Sequence, residues 1–275
     1  MLNLPNCLMP PLPHRVNFGL WLPIVILAGF VLIAPQLATH DPLTPNSGDE
    51  ITPPSQNYWL GTDYLGRDVF SRLMVGGQRT LSTTFVATGI AIAGGLLLGG
   101  LLIIAPAPIR WLLSILLDAL LAFPSILTAL VILTALEPSL WTLALALGIA
   151  GIPLYAQVTA DALRAALSQP FIEGTRSIGA TPRYILRRHI IPTALPALAA
   201  FGSVVFSWSL IYQAALTFLG LGGDISQPDW GTMLAQGYRT IREAPLLVIA
   251  PGGTLMMCVL LANWFADTIG KSPSR

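Results

Sequence analysis

The chain has 275 residues, of which 54% are hydrophobic and only 10% charged, and its mean hydropathy is +0.70. This composition excludes an ordinary soluble domain, because such domains carry about 25% charged residues. The net charge of +1 identifies no partner by itself; we expect the chain to lie in a lipid bilayer and to bind no nucleic acid. Its two cysteines, Cys7 and Cys258, lack the paired spacing of a disulfide or zinc framework.

Six apolar segments are each long enough to cross a hydrocarbon core of about 30 Å as an α-helix. The first follows Arg15, is longer than the apolar core of a signal peptide and has no clear cleavage site after it, which predicts an uncleaved anchor. Prolines such as Pro124 are expected inside these helices, since neighbouring helices can satisfy the freed carbonyl groups. The predicted spans of this all-α membrane protein are 18–38, 81–105, 111–135, 140–163, 194–218 and 245–267.

Basic residues are concentrated on one side of the six predicted spans. The side that holds the N-terminus carries nine Lys and Arg residues, and the opposite side carries five. Because short cytoplasmic loops carry an excess of basic residues, both termini are predicted to be cytoplasmic, with tails 1–17 and 269–275 around a core domain 81–268. The nine are Arg15, Arg110, Arg164, Arg176, Arg183, Arg187, Arg188, Lys271 and Arg275, and the five are Arg67, Arg72, Arg79, Arg239 and Arg242.

Residues 39–80 are rich in Asp, Pro, Ser and Gly and are predicted to form an external loop. Within the loop, Asp63, Arg67 and Asp68 lie at short spacing, which allows two interpretations. The first interpretation is a metal site, and the second is a turn held by internal salt bridges. The second is favoured, because an arginine in the cluster opposes cation binding. We therefore expect no metal here.

A second external loop is predicted over residues 219–244, where it presents Trp230 next to Asp229. Aromatic residues on an exposed loop are common contacts for a protein partner. The two external loops together are the predicted docking surface for a soluble protein.

Asp118 is the clearest anomaly inside a predicted span, and an intramembrane carboxylate is a functional hypothesis by default. It lies eight residues after Arg110, near the cytoplasmic end of its predicted span, where it can snorkel to the membrane surface, pair with that arginine or pair with a partner subunit. A gating or structural pair is favoured over contact with a transported solute. In the second span, four glycines predict close helix packing; they are Gly94, Gly95, Gly99 and Gly100.

A basic, polar segment, 164–193, separates the fourth and fifth predicted spans. Gly179 is placed like the glycine that ends a helix, and Thr181 and Pro182 are typical of the start of the next one. The segment is therefore predicted to form a helix, a sharp turn and a helix, with Phe171 as an apolar contact. Positive-inside bias or anionic lipid is an alternative reason for its arginines, and a helix cap or a salt bridge is an alternative role for Glu173; His189 is favoured as a structural hydrogen-bonding residue.

This segment resembles the cytoplasmic loop of permease subunits of bacterial binding-protein-dependent ABC importers, whose pattern is E-A-A-x(3)-G-x(9)-I-x-L-P. Glu173, Gly179 and Pro192 match the pattern, whereas Gly174 and Thr175 replace the two alanines. The Arg-His-Ile-Ile-Pro ending resembles the dipeptide, oligopeptide and nickel branch. Three further blocks resemble that branch: LGTDYLGRD with Ser71-Arg72, DALLAFP at 118–124, and FLGLG followed by PDWG and Met-Leu at 218–234.

The resemblance implies a type I ABC importer permease arrangement with a homologous permease, two cytoplasmic ATP-binding subunits and an external substrate-binding protein, in the bacterial inner membrane. It implies that 164–193 couples ATPase movement to the spans, and that short peptides are the substrate, with nickel or its chelate as the alternative. A secondary transporter and a non-transport membrane protein remain rival classes. The residues implied for coupling are Phe171, Glu173, Arg176, Ile178, Gly179, Arg183, Arg187 and Pro192, with Asp118 and Pro124 implied for gating.

No nucleotide-binding or catalytic motif accompanies these features. Gly270-Lys271-Ser272 resembles the end of a phosphate-binding loop, but Phe265 stands where the first glycine is required. The three histidines, His14, His40 and His189, are predicted to lie in different compartments, and no Ser-His-Asp set is evident. We therefore expect a non-catalytic subunit without a cofactor.

Overall fold

The computed structural model describes residues 22–45 and 50–270, and within this part of the chain the fold is helical with no strand; one isolated bridge joins Thr62 and Asp68. The predicted tail 1–17 and residues 271–275 lie outside the described residues. The helices are α1 (Leu22–Ile33, extended by a 3₁₀ turn over Ala34–Leu37), α2 (Val69–Ile104), α3 (Ala107–Leu121), α4 (Ser125–Thr134), α5 (Leu140–Leu167), α6 (Pro170–Ser177), α7 (Pro182–Ile185), α8 (Ile191–Phe218), α9 (Trp230–Tyr238) and α10 (Leu246–Gly270).

Four helices in the described residues are long and apolar enough to cross a membrane, which confirms an all-α membrane protein. The count becomes five when the bent pair α3 and α4 is taken as one span. The described part of the first predicted span is a shorter apolar helix, 22–37, so the structure does not by itself establish six spans. The four helices are Val69–Ile104, Leu140–Leu167, Pro182–Phe218 and Leu246–Ile269.

The third predicted span is broken, which corrects the expectation that Pro124 is tolerated inside a continuous helix. α3 ends at Leu121, α4 begins at Ser125, and the two are bent by 90°. Pro124 has no N–H to continue the α3 hydrogen-bond ladder and disfavours the helical conformation of the residue before it. The chain therefore turns at Ala122–Pro124 and starts a new helix.

Helix α2 begins at Val69, twelve residues before the predicted start of the second span. The Asp68 carboxylate caps its first turn by accepting a hydrogen bond from the Ser71 backbone N–H at 3.0 Å. The polar residues of this region are thus part of a helix and not of a loop. Hydropathy marks only the apolar length of α2 and misses its polar first turns.

Among the described helices, α2 and α5 share the most extensive contact, and glycines allow it. A Cβ atom added to Gly95 would lie 2.6 Å from the Tyr155 Cβ, and one added to Gly99 would lie 2.5 Å from the Ala156 carbonyl oxygen. Gly100 has open space at the same position. The glycine-packing prediction is confirmed for Gly95 and Gly99.

Gly99→Val is expected to destabilise the protein by about 1–3 kcal/mol, because overpacking forces the two backbones apart. Gly100→Val is the matched control, since it adds the same side chain to the adjacent helical position in open space. Thermal unfolding of the two purified variants in detergent measures the difference. Equal melting temperatures would show that the contact between α2 and α5 does not limit stability.

Candidate functional site

A helical hairpin formed by α6 and α7 lies between the two long helices α5 and α8. Gly179 has a φ of +82°, its N–H donates to the Arg176 carbonyl at 2.9 Å, and the Ala180 N–H donates to the Thr175 carbonyl at 3.3 Å. This pair of hydrogen bonds is the Schellman arrangement, which favours glycine because the left-handed conformation crowds a Cβ. Thr181 then caps α7 through its side chain. The predicted helix, turn and helix are confirmed.

The α6–α7 hairpin is held against the bundle by a small apolar cluster. Ile172 is 1% exposed and packs with Ala166, Ile185 and Ile190. The other face of the hairpin is uncovered: Phe171 and Tyr184 are exposed, and the Ile178 side chain is 81% exposed. One face therefore fixes the hairpin in place, and the opposite face leaves apolar side chains free for contact.

A widened turn connects α7 to α8. Residues Leu186–Ile190 form a π-helical segment in which the Ile191 N–H reaches the Leu186 carbonyl, five residues back. Pro192, which has no N–H, follows directly, and α7, the π segment and α8 run on as one helix over Pro182–Phe218. In the π segment, the His189 ring lies 5.6 Å from the Phe171 ring and 5.8 Å from the Tyr184 ring. These ring contacts hold His189 to the hairpin, and among the described residues its side chain makes none of the expected hydrogen bonds.

The charged residues of the hairpin point to solvent. Glu173, Arg176, Arg183 and Arg187 are exposed, and within residues 22–45 and 50–270 none of them takes part in an ion pair. The N-cap position of α6 is Gln169. Neither the cap nor the intraloop salt bridge considered for Glu173 is therefore observed, and its carboxylate is available to a partner.

Asp118 is exposed on α3 and pairs with a residue that sequence reasoning did not place beside it. Its Oδ1 accepts a hydrogen bond from Gln157 Nε2 on α5 at 2.8 Å. The expected pair with Arg110 is absent from the described residues. Pro124, the other predicted gating residue, stands at the N-terminus of α4 at the break. The one available signal for Gln157 was its polarity inside an apolar span.

The external block (residues 50–68, named for the side on which it is predicted to lie) contains the predicted turn and the Asp63–Arg67 salt bridge. Asp68 is not part of this salt bridge and caps α2 instead, whereas the ion-pair cluster around Asp63 is larger than predicted. Asp63 Oδ2 lies 2.8 Å from Arg67 Nη2 and 3.4 Å from Arg72 Nε. Both guanidinium groups also donate to Gln236 Oε1 on α9, at 3.4 and 3.0 Å. All three charged side chains are buried. This polar cluster therefore joins the external block to a helix more than 160 residues away in the chain; Gln236 was missed because nothing near it in the sequence marks a partner.

Asp68 and Trp230 are also buried, which corrects the prediction that Trp230 is presented to a protein partner. Asp68 is 0% exposed, and its Oδ2 accepts from the Ser71 and Thr39 hydroxyl groups at 2.6 and 3.0 Å. Trp230 is 1% exposed, and its Nε1 donates to the Leu73 carbonyl at 3.0 Å. Its ring fills the space that Gly77 leaves on α2. These residues pack inside the part of the fold that residues 39–80 and α9 form, and they are not on its surface.

The long apolar helices, with a polar hairpin at one end of α5 and α8, define a multi-pass helical membrane protein. The chain belongs to the binding-protein-dependent transport system inner membrane component family, whose model matches residues 89–275. Proteins of this family are membrane components of transporters and not catalysts.

Several relatives share most of the chain. The dipeptide transport system permease protein DppC of Alkalihalophilus pseudofirmus is 33% identical over 250 residues, which cover 89% of this chain and 81% of the relative. The probable D,D-dipeptide transport system permease protein DdpC of Escherichia coli is 30% identical, with coverages of 90% and 83%. A glutathione transport system permease protein, GsiD, of Escherichia coli is 34% identical over 214 residues, which cover 78% of this chain and 71% of GsiD.

The fold is also similar to a solved structure. A chain of the MetNI methionine ABC transporter, in an inward-facing conformation, superposes with a TM-score of 0.59 at 25% identity and covers 74% of this chain and 96% of the MetNI chain.

Proposed function

We propose that this chain is the permease subunit of an ATP-driven importer and forms half of the translocation pathway for short peptides. The similarity to permeases named for dipeptides and glutathione supports the substrate class. The observation that carries the proposal is the α6–α7 hairpin, which combines a rigid turn with exposed apolar and charged side chains. A protruding helical hairpin of this kind fits a groove on a protein partner.

The proposed assembly contains a second, homologous permease, two cytoplasmic ATP-binding subunits and an external substrate-binding protein. In it, this chain crosses the inner membrane six times, with α1 and the α3–α4 pair as two of the spans and both termini in the cytoplasm. The excess of basic residues on the hairpin side supports this orientation. Phe171, Ile178 and the exposed carboxylate of Glu173 then face the ATP-binding subunits.

The connections of the hairpin explain how it transmits movement. Only Ser168 and Gln169 separate α5 from α6, and α7 continues into α8 without a break in the helix. The cluster around Ile172 packs the hairpin onto the ends of both long helices. A displacement of the hairpin by an ATP-binding subunit would therefore move α5 and α8 together, because close-packed elements shift as units.

Ile178→Asp is expected to reduce copurification of the ATP-binding subunits, and peptide uptake, at least fivefold, because a carboxylate replaces an apolar contact in the proposed interface. The side chain is 81% exposed, so the substitution leaves the fold unchanged. Ile225→Asp is the control: Ile225 is 57% exposed in the loop before α9, on the proposed external side. Equal copurification of both variants with the ATP-binding subunits would contradict the proposed docking surface.

A further inference from the structure

The Asp118–Gln157 pair and the break between α3 and α4 lie on one face of the chain. Contact of this face with lipid is energetically unfavourable. Asp118, which is exposed, and Gln157, which is half-buried, form a hydrogen-bonded polar pair across α3 and α5. Four residues further along α3, the exposed residues Ala122–Pro124 interrupt the helix. A carboxylate facing hydrocarbon costs about 2.5–3.5 kcal/mol or more. Non-helical backbone is tolerated at membrane depth only where it is buried in protein or lines water.

The packing of α2 on α5 places the pair inside the membrane. Ala156, the neighbour of Gln157, lies against Gly99, and Gly99 is five residues before the end of α2 at Ile104. At 1.5 Å per residue, Gln157 is about 7.5 Å inward from that end. The apolar part of α2 ends at Ile104, so this depth is within the hydrocarbon region. On the side of α3 opposite to the pair, large apolar side chains such as Leu116 and Leu120 are exposed.

We propose that this face lines the translocation pathway and that Asp118 binds the N-terminal ammonium group of the peptide as it passes. The proposal rests on the proposed function and names a substrate contact within it. The carboxylate favours a cation, and among the described residues no basic side chain forms an ion pair with it. The peptide ammonium supplies that charge.

The hydrogen-bond geometry assigns separate tasks to the two carboxylate oxygens. Oδ1 accepts from Gln157 Nε2, which fixes the rotamer of the Asp118 side chain. Oδ2 accepts no hydrogen bond from the described residues and receives one N–H of the ammonium. Gln157 Oε1 is a second acceptor beside it, and an ammonium group offers three donors. Gln157 is thus the positioning residue and Asp118 the substrate contact.

A cysteine placed beside Asp118 tests the charge and the water access of this face. The variant is Leu121→Cys, three residues further along α3 on the same face. It is made in the complete importer, in which Cys7→Ser and Cys258→Ala remove the native cysteines of this chain. We expect a cationic methanethiosulfonate reagent to react roughly tenfold faster than an anionic one of similar size, because of the nearby carboxylate. Adding Asp118→Asn removes this preference but keeps an oxygen that accepts from Gln157.

Leu116→Cys is the matched control for water access. Leu116 is exposed on the same helix but two positions from Asp118, about 200° around the axis. We expect it to remain unlabelled by both reagents, since it faces lipid. An unreactive Leu121→Cys, or equal rates with the two reagents, would overturn the assignment of this face.

Protection by substrate tests the ammonium contact. Ala-Ala is expected to slow labelling of Leu121→Cys at least threefold, and N-acetyl-Ala-Ala to have no effect; Asp118→Asn abolishes the protection. Equal protection by both peptides would refute ammonium binding. If the parent importer takes up neither dipeptides nor longer short peptides, the proposed function fails instead, and the preference for the cationic reagent still reports whether the face is accessible to water and negatively charged.

Discussion

Gly179→Pro is expected to abolish peptide uptake and detach the ATP-binding subunits, while the variant still inserts in the membrane. Proline fixes φ near −65°, whereas Gly179 has a φ of +82°. It also removes the N–H that donates to the Arg176 carbonyl at 2.9 Å. The α6–α7 turn cannot form in its observed geometry, and the exposed residues on its two sides lose their relative positions. Uptake into proteoliposomes and copurification of the ATP-binding subunits measure the effect.

Gly174→Ala is the control for this substitution. Gly174 lies within α6, an added Cβ there meets nothing within 4 Å, and alanine favours a helix more than glycine does. We expect normal uptake for Gly174→Ala and at least a tenfold loss for Gly179→Pro. Normal uptake in Gly179→Pro would exclude the turn from the coupling mechanism, whatever the control shows.

Asp63→Ala is expected to destabilise the protein by about 3–5 kcal/mol, because it leaves the buried guanidinium groups of Arg67 and Arg72 without their carboxylate. Asp63 Oδ2 is shared by both arginines, and all three side chains are buried. The two guanidinium groups that donate to Gln236 on α9 then lose the carboxylate that holds them in position. The measurements are thermal unfolding in detergent and the rate of proteolysis within residues 50–68.

Asp161→Ala is the control for Asp63→Ala. It removes a carboxylate from an ion pair that is about as short as the Asp63–Arg67 pair but is exposed and not buried. Asp161 lies 2.9 Å from Arg164 on the surface of α5, and both side chains are more than half exposed. Exposed pairs contribute about 0–1 kcal/mol, so this variant is expected to unfold close to the parent protein. If both variants were equally stable, burial of the Asp63 cluster would contribute nothing to the fold.

The sequence predicts the parts of this fold that follow from local chemistry. Gly179 and Thr181 mark the turn because a positive φ and a helix cap need those residue types. Asp63 and Arg67 are close enough in the chain to predict their own salt bridge. Hydropathy finds the long spans because each is an uninterrupted apolar run.

The remaining features depend on tertiary contacts that local patterns do not contain. In the sequence, Trp230 resembles a surface residue. In the structure, its ring fills the gap that Gly77 leaves on α2. The pairing of Asp118 with Gln157 depends on how α3 crosses α5. The break at Pro124 could not be predicted from composition, since Pro153 lies inside the continuous helix α5. A proline permits a bend, and the packing around it decides whether the bend occurs.

The length of α2 determines how far the external block stands from the bilayer. Its 36 residues span about 54 Å, against a hydrocarbon core of about 30 Å, which leaves about 24 Å of helix in the headgroup and aqueous layers. Because the buried Asp63 cluster is built on the first turns of α2, the block is a rigid platform at a fixed height. Trp59 and Leu65 are both exposed on this block. If the proposed orientation holds, a soluble protein that approached this end of the bundle would meet these side chains before it touched lipid.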